Sequence, residues 1–333
     1  MDRRRHARRR HPRHGRADRR LPQAGVVAAV SRRQARARAR ALTDLDELVG
    51  RCTFPTSSPV ACAFSGGADS TALIALARHA GLEVVAHHVD HGLRASSADE
   101  ARQAAAIAAA VGADVVVHRV VVDAGPNLEA RARAARRAVL PDDAMTGHTA
   151  DDQAETVLLR LLRGGGSRGL GAMTPGHRHP LLALRRTETH AVCRQLDLDP
   201  VHDPSNDTPD GWRNRVRSEL LPLAADIAGR DLVPILVRSA DLLRSESDLL
   251  DAFAAELDPT DAVALAAAPA PLARRALRRW LTEGGYPPDA DAVDRVLAVV
   301  EGSARACELP GGRRVERSAQ RLRLVDDRSV ADR

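Results

Sequence analysis

The sequence predicts an α/β protein: a doubly wound, mostly parallel sheet followed by a second, smaller and mainly helical domain. Three observations predict it. Short apolar runs alternate with helical stretches from about Val60 to Arg163. The turns that follow these runs are glycine-rich or acidic, at the carboxyl edge where open parallel sheets bind ligands. After Pro222 the pattern is helical again, until a hairpin near residue 310.

Taken in order, VACAF at Val60–Phe64 reads as a buried strand, and SGGADS follows it. Asp69–Ala80 reads as a helix, EVVAHH at Glu83–His88 as the next strand and Ala98–Val111 as the next helix. DVVVHRVVV at Asp114–Val122 is the third strand, and Asn127–Val139 is helical. A short strand at Asp143–Thr146 and a helix at Ala150–Arg163 complete the alternation. GGGSRGLG at Gly164–Gly171 is expected to be a mobile loop. Pro180–Leu184 (PLLAL) reads as one more strand, and residues 203–217 are polar and irregular. Residues 240–257 form a linking helix. Beyond it, Leu272, Leu277, Trp280 and Leu281, then Val293, Val296, Leu297 and Val300, recur at helical spacing. CELPGGRRVER and RLRLV close the chain as a hairpin turning at Pro310-Gly311-Gly312. The expected division is a disordered arginine-rich tail over 1–40, an α/β domain over 41–235, and a linking helix with a small, mainly helical domain over 236–333.

Composition narrows the class. Of 333 residues, 44% are hydrophobic and 28% charged, which suits about two globular domains. No apolar run reaches the roughly 18 residues that a membrane span needs, and the arginine-rich start lacks a secretory core, so a cytoplasmic protein is expected. Cys52, Cys62, Cys193 and Cys307 form no CxxC pair, which points away from zinc knuckles, disulfides and sulfur transfer. The net charge is +6, but fifteen arginines against two aspartates give residues 1–40 a charge of +13 and leave −7 on the rest. An RNA-binding case therefore rests on local patches. All 50 basic residues are arginine, so no lysine can serve a Walker-type phosphate loop.

Three motifs carry chemistry. In Ser65-Gly66-Gly67-Ala68-Asp69-Ser70, two glycines let backbone approach a phosphate, and the helix start directs N–H groups at it. Ser65 and Ser70 add hydroxyl donors, and Asp69 can hold a magnesium ion. His87-His88-Val89-Asp90-His91 contains three histidines, but strand spacing sends them to different sides and argues against a metal cluster. In Gly147-His148-Thr149-Ala150-Asp151-Asp152-Gln153-Ala154-Glu155-Thr156, His148 and Asp152 lie one turn apart on one helix face. Asp152 at a helix start is expected to be ionised. It either binds magnesium with Asp69 or accepts a proton. His148 is expected to titrate near neutrality and to act as a proton donor to a reacting group.

These motifs resemble, in order, those of the tRNA(Ile)-lysidine synthase family within the PP-loop ATP pyrophosphatases. SGGADS, HVDHGLR, the ARAAR helix, GHTADDQAET, LLRGGGSRGLGAM, PLL, DPSND and RNRVRSELLP all occur between residues 60 and 222. Two departures are Arg137, where the family has tyrosine, and Ala172-Met173 in place of Gly-Met. The resemblance implies a short form, a Rossmann-like PP-loop domain, and ATP with Mg²⁺. It implies that Asp69, His148 and Asp152 are catalytic and that residues Ser65 to Ser70, Ala68 included, bind ATP. The implied reaction adenylates the C2 oxygen of the wobble cytidine of an isoleucine tRNA with a CAU anticodon. Free L-lysine then displaces AMP and leaves lysidine. A homodimer fits the resemblance.

RNA contact needs arginines, which pair with phosphates through two N–H groups. Arg131, Arg133, Arg136 and Arg137 share one predicted helix, and Arg213 and Arg215 flank Asn214. Trp212 is the one aromatic residue beside a basic motif. Rival readings are a tRNA sulfurtransferase, which needs a cysteine pair, an amidotransferase-type synthetase, which needs a glutaminase domain, and a non-catalytic nucleotide-binding or RNA-binding protein. The intact Asp69, His148 and Asp152 speak against the last.

Overall fold

The computed structural model describes residues 45–90, 97–121, 128–201, 211–283, 285 and 288–326. The arginine-rich tail, His91 to Arg94 and the DPSND segment lie outside them.

Helix α1 (residues 45–51) leads into β1 (Val60–Ala63), α2 (Ala68–His79), β2 (Val84–Asp90), α3 (Ser97–Ala110) and β3 (Asp114–Arg119). The three strands are parallel in the order β1-β2-β3. Apolar residues alternate along β1 and β2, where Val60, Cys62, Val84 and Ala86 point into the core. Strand β3 is an edge, with Val116 and Val117 exposed. The fourth strand expected at Asp143–Thr146 is a single parallel bridge, Cys62 to Met145. Met145 still docks like a strand: its N–H donates to Ala61 O and its carbonyl accepts from Ala63, both at 2.8 Å. The run there is too short to extend the ladder.

Helix α2 is buried from Ser70 to Ala77. Its Leu73, Ile74 and Leu76 are fully enclosed, each contributing about 1.5–3 kcal/mol of burial. It packs against the sheet and against α7 (Arg186–Gln195). Helices α4 (Leu128–Val139) and α5 (Ala150–Leu162) follow the remaining crossovers.

Two sequence expectations fail here. Gly164–Gly171 contains a short helix, α6 (Ser167–Leu170). Arginines pin this segment by its carbonyls: Arg160 donates to Gly169 O and Ala172 O, and Arg244 to Gly171 O and Met173 O. Glycine content signalled freedom, but distant guanidiniums supply the order. Pro180–Leu184 is a turn rather than a strand, and Leu181 and Leu184 nevertheless plug the main core.

Helix α8 (Trp212–Arg215) passes through one π-turn (Val216–Leu220) into α9 (Leu221–Ala228). The linking helix α10 (Val233–Ala255) is longer than expected and packs against α5 and α6 and against α12 (Ala270–Glu283). A separate core joins α11 (Ala262–Ala267), α12 (Ala270–Glu283) and α13 (Ala290–Glu301) to an antiparallel meander of β4 (Ala306–Leu309), β5 (Arg313–Ser318) and β6 (Arg321–Asp326). No helix among the described residues is long and apolar enough to cross a membrane.

Candidate active site

The turn after β1 is built around two backbone constraints. Gly66 has φ +84°, and a Cβ there would lie 2.8 Å from Val201 Cγ2. Its carbonyl accepts from the Val201 N–H at 2.9 Å and from Thr71 Oγ1 at 3.1 Å. Ser70 Oγ donates to Gly67 O at 2.9 Å and sits 3.1 Å from Ser65 Oγ. The first-turn N–H groups of α2 have no helical acceptor, so the turn presents donors and a partial positive charge to an anion. Asp69 stands in that first turn.

The GHTADDQ segment reaches the same place by a close approach. A Cβ on Gly147 would lie 2.7 Å from Asp69 O and 3.0 Å from Ser70 N. Only glycine lets this segment touch the backbone of α2. Thr149 then starts α5, and its N–H and Oγ1 both donate to Asp152 Oδ2 at 2.9 Å. Asp152 thus closes its own helix start.

Around it lies a network that sequence reading did not identify. Arg186, from α7, donates to Asp152 Oδ1 at 2.9 Å and to Glu155 Oε1 at 3.0 Å, and reaches Asp69 Oδ2 at 3.4 Å. Arg213 donates to Asp152 Oδ1 and Glu155 Oε2, both at 2.9 Å, and Arg217 to Glu155 Oε1 at 2.7 Å. Thr189 donates to Asp69 Oδ1. Three carboxylates and three guanidiniums therefore balance in charge. Glu155 is fully buried, which is tolerable only because three arginines meet it. Its place three residues after Asp152 on one helix face was a usable signal. Arg186 had none, because the segment after PLLAL carried no motif.

The environment separates the two aspartates. Burial pushes the Asp69 carboxyl up, and Thr189 and Arg186 only partly offset it. Burial also opposes ionisation of Asp152, but Arg186, the Thr149 N–H and Arg213 outweigh it and hold that carboxyl below its usual range. Asp152 is therefore ionised at neutral pH. Both Asp152 oxygens carry close donors, whereas among the described residues Asp69 Oδ2 has only the 3.4 Å contact with Arg186. The donor set fits a magnesium ion best through Asp69 with substrate phosphates. Asp152 can join only by releasing an arginine.

His148 differs from expectation. Burial lowers its pKa to about 4, with Asp152 opposing and His179 and Arg213 reinforcing the shift. The ring is neutral at pH 7 and does not titrate there. Its Nδ1 lies 2.7 Å from Thr146 Oγ1, and His179 packs edge-on with ring centroids 5.2 Å apart. In β2, His88 turns inward with Nδ1 3.0 Å from Phe64 O, while His87 faces the other side and stacks on His118. The pleat divides that histidine pair, and no metal-binding group of three is found among the described residues.

The arginines sort into two kinds. Arg133, Arg136 and Arg137 are exposed on α4 and have no acidic partner among the described residues. Arg136 lies near enough to act electrostatically on His148. Arg213 instead points into the acidic network, and Arg215 pairs with Glu219 at 2.9 Å. Asn214 is on the same short helix, and its carbonyl accepts from Ser218 Oγ at 2.8 Å. Trp212 is 64% exposed beside them.

Comparison with known proteins gives this geometry a context. Residues 37–224 match the PP-loop domain family, and residues 261–323 match the TilS substrate binding domain. The chain is 42% identical over 289 residues to the tRNA(Ile)-lysidine synthase of Nocardia farcinica, covering 82% of this chain and 90% of that protein. It is 44% identical over 242 residues to that of Rhodococcus opacus, covering 68% and 74%. Against that of Mycobacterium leprae it is 39% identical over 285 residues, covering 80% and 87%.

Proposed function

The chain belongs to the tRNA(Ile)-lysidine synthase family, and from that premise we propose its reaction and the residues that perform it. As a cytoplasmic enzyme it ligates free L-lysine to C2 of the wobble cytidine of an isoleucine tRNA with a CAU anticodon. ATP first adenylates the C2 oxygen and releases pyrophosphate. The lysine amine then forms the C2–N bond as the C2–O bond breaks and AMP departs.

One observation carries this reading. The phosphate-binding turn and the His148–Asp152 helix start touch each other through Gly147. Adenylation needs both: donors for the phosphates, and a second group of residues at the reacting oxygen. Ser65, Gly66, Gly67, Ala68 and Ser70 hold the phosphates through N–H and hydroxyl donors. Asp69, with Asp152 beside it, holds Mg²⁺, which neutralises charge on the phosphates. Asp152 offers a counter-charge to the cationic amine by releasing one of its arginines. Arg133 and Arg136, which have no acidic partner among the described residues, take tRNA phosphates. Arg213, Asn214 and Arg215 extend that surface, the two arginines by exchanging carboxylate partners for phosphate. The separate hydrophobic cores around the parallel sheet and around α11–α13 support a catalytic domain over 41–235 and a linking helix with a small substrate domain over 236–333, with residues 1–40 as a tail; a third cluster seats the start of α10 on α5. A homodimer is compatible with this division.

ATP–pyrophosphate exchange tests the reading. Exchange that depends on the isoleucine tRNA supports it. No exchange under any condition would favour a nucleotide-binding protein without catalysis.

A further inference from the structure

The hydroxyl of Thr146 has three polar neighbours but only one proton. His148 Nδ1 lies 2.7 Å from Thr146 Oγ1, His179 Nδ1 also lies at 2.7 Å, and Arg178 O lies at 3.0 Å. A backbone carbonyl can only accept, and Arg178 O, which takes the Thr146 N–H at 2.9 Å, has a second lone pair for the hydroxyl proton. One assignment puts a proton in all three hydroxyl contacts: Thr146 Oγ1 donates to Arg178 O, and both imidazoles donate to the lone pairs of Thr146 Oγ1. Burial keeps both rings below their ordinary pKa, so each carries a single ring proton at neutral pH.

We propose that Thr146 and His179 are positioning residues that fix the tautomer of His148, placing its one proton on Nδ1 and leaving Nε2 as a bare lone pair. This rests on the reading that His148 stands at the reaction centre. It settles which way His148 works: Nε2 accepts and does not donate. In the second step the neutral amine of lysine attacks C2. As its lone pair enters the new C2–N bond, the C2–O electron pair leaves with AMP, and one N–H proton passes to Nε2. The proton later returns to solvent. Acceptance suits this step because the amine nitrogen becomes acidic as the bond forms.

Thr146 belongs to no motif identified in the sequence, and His179 precedes PLLAL in a stretch that carried no signal. Both are delivered by one local feature: the Thr146 N–H also donates to Arg178 O at 2.9 Å, which clamps the 176–179 turn against the strand end.

The test is nitrogen NMR of the full chain labelled in its histidine rings, with His148→Asn used to assign the resonance. The wild type should show His148 protonated at Nδ1 and bare at Nε2. A His148 ring protonated at Nε2 overturns the proposal by itself, without any variant and without any activity measurement. Two variants extend the test. Thr146→Val should lose the Nδ1 tautomer preference and slow AMP displacement by lysine about 10²-fold, with KM for ATP and tRNA within a few fold. Thr146→Ser should restore both. A Thr146→Val enzyme with wild-type kcat would overturn the positioning role. If the wild type forms no lysidine at all, the functional reading fails, while the tautomer is still decided by NMR.

Discussion

Replacing Gly147 with alanine tests how the two halves of the site are joined. The added Cβ would meet Asp69 O at 2.7 Å, Asp69 C at 2.8 Å and Ser70 N at 3.0 Å. All three are backbone atoms, and none can swing away as a side-chain tip would. Restoring ordinary contact, which starts near 3.4 Å, needs a separation of at least 0.7 Å between the GHT segment and α2. Overpacking of this kind costs roughly 1–3 kcal/mol. That corresponds to a loss of about 1–4 °C in Tm for a protein of this size. The catalytic cost should be larger, because misplacing reacting groups by about 1 Å lowers rates by about 10²-fold. Thermal unfolding and tRNA-dependent ATP–pyrophosphate exchange measure the two effects. Gly166→Ala is the control: its Cβ would meet nothing within 4 Å, and its φ of −76° suits any residue. A Gly147→Ala enzyme with the Tm and exchange rate of the wild type would refute the argument that close backbone contact assembles the site.

Asp69→Asn should abolish magnesium-dependent ATP turnover while the circular dichroism spectrum is retained; normal turnover would remove Asp69 from the metal site. Asp152→Ala should lower lysidine formation by at least about 10²-fold, and trapping of adenylated tRNA tells which step is lost. Normal turnover would reduce Asp152 to a helix-capping residue. Arg133→Ala and Arg136→Ala should each reduce the salt slope of tRNA binding by about one unit, read from affinities across a salt series; unchanged slopes would make α4 an ordinary solvated face. His148 contributes a pH-dependent term to stability. Its unfolded ring takes up a proton below about 6.5, the folded ring only near 4, so stability is complete above 6.5 and declines as pH falls through that window. Denaturant midpoints of wild type and His148→Asn should diverge between pH 7 and 5, and parallel curves would contradict the depressed pKa.

The main features of the fold were legible because they are local. The alternation along VACAF and EVVAHH, and the position of SGGADS between strand and helix, follow from period and turn chemistry that a few neighbouring residues carry. Asp69, His148 and Asp152 could be proposed for the same reason, since each lies in a compact motif. What was missed depends on distance in the chain. Arg186 joins Asp69, Asp152 and Glu155 across 117, 34 and 31 positions, and no local pattern marks it. The order in Gly164–Gly171 likewise comes from Arg160 and Arg244, not from the glycines. PLLAL had the composition of a strand, but its apolar side chains fill the core from a turn. His148 was expected to titrate near neutrality because its burial and the Thr146–His179 contacts are tertiary. Arg213 and Arg215 sit in one basic motif, yet the fold turns Arg213 into the acidic network and leaves Arg215 at the surface.

The central claim is that this site joins lysine to a cytidine through an adenylated intermediate. Mass spectrometry of the isoleucine tRNA with a CAU anticodon, after incubation with the enzyme, ATP, Mg²⁺ and lysine, tests it most directly. The anticodon fragment should gain the mass of one lysine less one water, on the wobble cytidine alone, and only when both ATP and lysine are present. An unchanged fragment in the presence of active, ATP-binding enzyme, or a gain that does not require lysine, would contradict it.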